Sequence, residues 1–458
     1  MSRRSATGLL LVLLLWGAGE GAARDFSVQH LDSGVPGPTL LVIGGIQGDE
    51  PGGFNAAALL STRYTITRGS VWVVPNLNFA SILRRSRGVH GDMNRKFADL
   101  PPSDPEYEAV QRVKELIRDD AVDVVLNLHD GSGFYRRSYI SESQSPWRWG
   151  QSVIIDQARM DAPRFGNLKG VAARVAARVN MRIPDNEHFY AVKNTRTGEG
   201  NAEMARTLTW YAVRSGKPAF GVEASKSFGT LRRTDFHLKV LEGFMEHMGI
   251  GYERPFPRTL AGVEEAIKGD MEVALYDRRI RLELANARSA LGYVPLKAGG
   301  DLEFAADSPL VTVLRRGDHY VVRHGNRELT RLHPQYFEYD RGPEGVVMEV
   351  DGDRIDADFG TVVTVGESFR VEPREGYRVN VIGYHSDDTD QAGHRIRRED
   401  ILPRFSLDRD ARTFRVEVYR DDAFTGMALV RFDGADERPR RAPLRAGVDA
   451  AEDDGTGR

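Results

Sequence analysis

Gln47 and Glu50 stand three residues apart in LVIGGIQGDEPGG, behind an apolar run that reads as a strand and just ahead of Pro51. His129 closes a second apolar run in DVVLNLHDGSGF. Both places are carboxyl ends of strands, where open α/β sheets build their sites. An amide oxygen, a carboxylate and an imidazole make a three-ligand set for zinc that leaves one position open for water or substrate. The chain has no cysteine, so disulfides and thiolate sites are excluded and any metal must take N and O ligands. A neutral glutamine in place of a second imidazole keeps the formal charge of such a site but weakens the donor. Lower zinc affinity is therefore expected, with activation of water retained. A plainer reading of the same residues is a tight glycine turn, in which Asp49 and Glu50 favour a helix N-terminus, and a histidine packed in the core.

Between these positions lies RRSRGVHGDMNRKF. Asn94 and Arg95 can clamp a carboxylate, because a guanidinium offers a bidentate fork that lysine does not. Arg87 can stabilise an oxyanion, a role for which Arg84 and Arg85 compete. A solvated basic loop is the alternative. Glu223, in AFGVEASKS, puts a carboxylate inside an apolar strand, where burial is costly unless the group is paired or functional. A general base beside an activated water is one reason for it, and a salt bridge to Lys226 or an arginine is the other. The aromatic and basic stretches FYRR (134–137) and WRW (147–149) suit a pocket wall, with ordinary loop packing as the alternative.

The elements that must hold these residues follow from pattern. At about 150 residues per domain, 458 residues suggest roughly three domains. From about 38 to 250, strand-like and helix-like segments alternate, the mark of an α/β domain with a largely parallel sheet flanked by helices. After about 253, period-two runs replace helical ones, and two small β domains are expected, 253–343 and 344–433, the last consistent with an immunoglobulin-like sandwich. Residues 1–23 carry a basic start, the apolar run GLLLVLLLWGA and a small-residue site, the parts of a secretory signal peptide. An uncleaved anchor is the alternative, for which the run is short. A catalytic domain over 24–252, exported and with no membrane span after cleavage, is thus expected, as is a polar, disordered tail over 434–458. The net charge of −3 gives no pull toward nucleic acid.

Taken in order, GGIQGDE, DMNRKF, NLHDGSG and GVEAS resemble the zinc carboxypeptidase superfamily. The glutamine is similar to one branch in particular, the murein D,L-carboxypeptidases that trim cell-wall tripeptides and determine helical or curved cell shape. The resemblance implies one Zn2+ ion on Gln47, Glu50 and His129, Glu223 as general base and acid, and Asn94 with Arg95 on the substrate's terminal carboxylate. It assigns Arg87 to the oxyanion less firmly. It further implies a periplasmic enzyme acting on peptidoglycan muropeptides, with β domains that can meet cell-wall proteins. Two other functions fit the residues: an aspartoacylase-like or desuccinylase-like zinc amidohydrolase, and a peptidoglycan-binding protein that no longer cuts.

Overall fold

The computed structural model describes residues 26–433; the signal peptide expected over 1–23 and the tail expected over 434–458 lie outside the described residues. Thr39–Ile43, Val124–Gly131 and Ala219–Ser225 are buried along their whole length, as strands covered by helices on both faces must be. They form the middle of a seven-stranded sheet ordered Gln29–Asp32, Ser70–Val74, Thr39–Ile43, Val124–Gly131, Ala219–Ser225, Ser152–Ile155, Ala191–Asn194. Four of its neighbouring pairs are parallel and two antiparallel, so the sheet is mixed and largely parallel, as expected.

Helices cover the sheet where the apolar periodicity places them. Pro51 opens the helix Pro51–Arg63 at a position where its missing N–H costs nothing. Tyr107–Arg118 buries Val110, Val113 and Ile117 on one face. The helical pattern over 203–214 forms two pieces, a 3-10 turn Met204–Arg206 and the helix Leu208–Arg214. Thr207 divides them: its backbone is extended and its hydroxyl accepts from Trp210 N at 3.3 Å, capping the second piece. Among the described residues no helix is long and apolar enough to cross a membrane.

Past residue 253 the helix Leu260–Gly269 sets Val263 and Ala266 in the core of the α/β unit, and the rest is largely β structure. A core with Val273, Leu282, Val313 and Leu332 also takes Phe424 and Met427, and both of these lie on the long strand Ala423–Phe432. Two four-stranded sheets enclose a further core that includes Met348, Phe369, Val381, Phe414 and Val430, a sandwich. Leu310 fastens the β region to the α/β unit by entering a cluster with Phe54, Phe79 and Ile82. Burial of that side chain contributes about 2 kcal/mol. Asn76 Nδ2 donates to Pro309 O at 3.1 Å and Arg85 Nε to Asn326 O at 2.9 Å across the same junction.

Candidate metal and catalytic site

The sheet brings Gln47, Glu50 and His129 to one point. Gln47 Oε1 lies 3.0 Å from His129 Nδ1, and Glu50 Oε2 lies 2.9 Å from the same nitrogen. Two acceptor oxygens facing a ring nitrogen need a positive centre among them, a proton or a metal ion. Donor atoms around a tetrahedral zinc are about 3.4 Å apart, given bonds of roughly 2.0–2.2 Å, so these spacings need to open by only a few tenths of an ångström. Among the described residues no group of three His, Cys, Asp or Glu side chains is arranged to hold a metal. A metal at this point therefore depends on the Gln47 amide as third donor, and the donor set fits one.

Neighbouring groups fix each donor. Gln47 Nε2 donates to Asp92 Oδ1 at 2.7 Å, which leaves Oε1 as the atom turned toward His129. Asp92 also accepts from Asn94 N at 2.9 Å and from Arg87 Nε at 2.9 Å. Burial opposes its charge, but the Gln47 hydrogen bond and the Arg87 guanidinium outweigh burial and hold the carboxyl below its ordinary value. Asp130 N donates to Glu50 Oε2 at 3.1 Å. The buried Asp130 carboxylate accepts from Gly52 N at 2.8 Å, Arg233 Nη1 at 2.6 Å and His237 Nε2 at 3.0 Å, locking the start of the helix that Glu50 precedes. Gly48 is required in this turn, since a Cβ there would stand 2.0 Å from the Ser81 carbonyl carbon.

Glu223 lies in register with His129 on one side and Ser152 on the other. It is 8% exposed. Lys226, the partner that the salt-bridge reading offered, turns instead to Asp49 at 3.1 Å and Glu50 at 3.4 Å. Burial, reinforced by the Glu50 and Asp130 charges against the opposing His129 charge, pushes Glu223 up to about 8. Gly131 makes room for it: a Cβ there would meet Glu223 Oε2 at 2.7 Å and Trp149 Cβ at 2.6 Å.

Of the three candidate arginines only Arg87 meets these residues, with Nη1 3.5 Å from Glu50 Oε1. Arg85 is directed to Asn326, and Arg84 is exposed. Asn94 is buried, its Oδ1 accepting from Leu208 N at 3.1 Å and its Nδ2 lying 3.3 Å from His129 Nε2. Arg95 offers its fork to Glu203 Oε1, at 2.9 Å from Nη2 and 3.2 Å from Nε. Asp92, Asp130, His237 and Glu203 went unnoticed in the sequence. Asp92 and Asp130 had a signal, a carboxylate directly beside a motif residue; His237 and Glu203 had none.

Comparison with known proteins bears on this arrangement. Residues 23–268 match the family described as carboxypeptidase controlling helical cell shape, catalytic, and residues 339–433 match the C-terminal domain of metallo-carboxypeptidase. The crystal structure of apo cell shape determinant protein Csd4 from Helicobacter pylori is 37% identical, covering 89% of this chain and 100% of that one, with a TM-score of 0.79. The tripeptide-bound form of Csd4 matches with the same values. The mDAP-bound form, described as a D,L-carboxypeptidase, is 38% identical over 87% of this chain and 97% of that one, TM-score 0.78. No curated protein sequence matches the chain.

Proposed function

Because the chain belongs to the family of carboxypeptidases controlling helical cell shape, we propose that it is a periplasmic zinc D,L-carboxypeptidase. Its substrate is a peptidoglycan stem tripeptide, from which it removes the terminal meso-diaminopimelate by cutting the bond to γ-D-glutamate. The family makes it a metallopeptidase and hence a hydrolase. The observation that carries the reading is the convergence of Gln47 Oε1 and Glu50 Oε2 on His129 Nδ1 beside the buried Glu223. Substrate class is supported by the tripeptide and mDAP bound to the related Csd4.

One zinc ion on Gln47, Glu50 and His129 supplies Lewis acidity when bound, polarising the scissile carbonyl and acidifying water. Glu223 takes the proton of the attacking water and returns it to the leaving amine. A carboxylate with raised proton affinity suits a group that must accept a proton and then give it up. Arg87, held by Asp92, presents its guanidinium to the developing oxyanion. Arg95 and Asn94 Nδ2 receive the terminal carboxylate, which confines cleavage to a free chain end. The catalytic unit spans 24–252, and the β units 253–343 and 344–433 scaffold it or dock onto cell-wall proteins.

Mass spectrometry of the tripeptide incubated with the zinc-loaded protein tests the reading. Release of free diaminopimelate supports it. An intact tripeptide, with N-acyl amino acids hydrolysed instead, overturns it.

A further inference from the structure

The loop between His129 and the strand Ser152–Ile155 holds aromatic surface that the reaction above does not use. Tyr139 and Trp147 are 58% and 73% exposed, with ring centroids 6.0 Å apart, and Ile140 beside them is 60% exposed. So much open apolar area on one loop marks a contact surface.

This loop is rigidly built. Arg136 is buried, donating to Tyr135 O at 2.7 Å and Phe189 O at 3.3 Å, with its guanidinium 3.8 Å from the Phe189 ring centroid. Lys193 Nζ donates to Pro146 O at 3.0 Å and Arg148 O at 2.9 Å, fixing the backbone on either side of Trp147. Arg148 Nε donates to Glu142 O at 2.6 Å across the loop.

Its position relative to the catalytic carboxylate is equally defined. Trp149 Cβ and Glu223 Oε2 flank the same point beside Gly131, and Ser152 Oγ donates to Trp149 O at 2.6 Å. Trp147 is two residues away, at most about 7 Å along the chain. Asn94 approaches His129 on one flank of Glu223, while the aromatic loop joins Ser152 on the other. A substrate held by its terminal carboxylate at Asn94 and Arg95 therefore runs its acyl side toward the loop.

We infer that Tyr139 and Trp147 form a stacking platform for the sugar of the substrate, the N-acetylated hexosamine that carries the stem peptide. The inference rests on the tripeptide reading above and deepens it. From the scissile bond, the D-glutamyl and L-alanyl residues reach roughly 10 Å before the sugar begins, and Trp147 stands two residues beyond Trp149, whose Cβ borders the same point as Glu223 Oε2. A pyranose ring presents a face of C–H groups that lies against an aromatic ring, and rigid Tyr and Trp side chains supply such contact at low entropic cost. Charge agrees as well: with Arg136 buried, residues 134–149 leave Arg137 and Arg148 against Glu142, a net positive charge suited to the free α-carboxylate of the D-glutamyl residue.

The test is calorimetric binding of two ligands, the disaccharide-tripeptide and the free tripeptide, to the zinc-loaded full chain carrying Glu223→Gln to prevent turnover. The expected result is that the disaccharide form binds about tenfold more tightly. Adding Trp147→Ala and Tyr139→Ala together removes that advantage and leaves free-tripeptide affinity unchanged. Equal affinities in the parent, or equal losses for both ligands on substitution, overturn the platform. Trp147-dependent binding to phosphatidylglycerol vesicles with no preference for the sugar assigns the surface to lipid and overturns it too. If the protein with Glu223 intact cuts neither ligand while the sugar preference holds, the cleavage reading fails and the platform stands.

Discussion

Removing the Asp92 carboxylate should cost the site its metal before it costs the protein its fold. The amide of Gln47 can present oxygen or nitrogen with almost the same shape, and only the oxygen can bind a cation. Asp92 accepts Gln47 Nε2 at 2.7 Å and so selects the oxygen-inward orientation. A hydrogen bond to a charged acceptor contributes about 1.5–3 kcal/mol. Outer partners of metal ligands typically change affinity by about 10- to 100-fold, equivalent to roughly 1.4–2.7 kcal/mol, so the two scales agree. Asp92→Ala is therefore expected to weaken zinc binding by about 10- to 100-fold. Asp92→Asn is expected to fall between, because an amide oxygen can still receive Gln47 Nε2 but its nitrogen cannot receive Arg87 Nε. Competition with a chromogenic chelator measures the affinities, and circular dichroism confirms that the variants are folded. Zinc affinity of a folded Asp92→Ala protein within twofold of the parent would refute the reasoning.

Two further outcomes are expected. Glu203 occupies the Arg95 fork that the substrate's carboxylate needs. Glu203→Gln should thus lower KM for the tripeptide about two- to fivefold with kcat unchanged, the scale of an exposed ion pair, and an unchanged or raised KM refutes this. His324 is buried near the junction of the β region with the α/β unit, and burial, aided by the Arg327 charge, pushes it down to about 4. Its ordinary value in the unfolded chain is about 6.5, so the unfolded state binds the extra proton between these limits. Stability from this group is complete above about pH 6.5 and is lost as pH falls through about 4, by about 3 kcal/mol. Urea midpoints from pH 7 to 4 should fall less steeply in His324→Gln than in the parent, and parallel pH profiles contradict the assignment.

What could be read directly from the chain were the residues whose neighbours in sequence explain them. Gln47, His129 and Glu223 sit on or just past apolar strands, and a polar residue in that setting stands out before any contact is known. Pairings made by register were invisible. His237 reaches Asp130 only because the helix Thr230–Met248 packs beside the sheet, 107 residues further along the chain. Lys226, three residues past Glu223 in sequence, goes to Asp49 and Glu50, since direction out of a strand end, not proximity, decides its partner. In the β region Val346–Val350 and Thr413–Tyr419 were visible as alternating runs. The strand Arg327–Phe337 was not, because it carries Pro334 and several exposed charged residues while still pairing with Ala290–Lys297 and His319–His324. Thr207 caps a helix rather than lying inside one, a distinction that depends on its backbone angles.

The most direct test of the central claim compares the zinc-loaded protein with its Glu223→Gln counterpart on the stem tripeptide, with zinc content and melting temperature measured for both. Equal zinc, equal melting and release of diaminopimelate by the unmutated protein alone is the predicted result. Cleavage by Glu223→Gln at the unmutated rate, or an intact tripeptide with zinc bound to both proteins, would contradict the account.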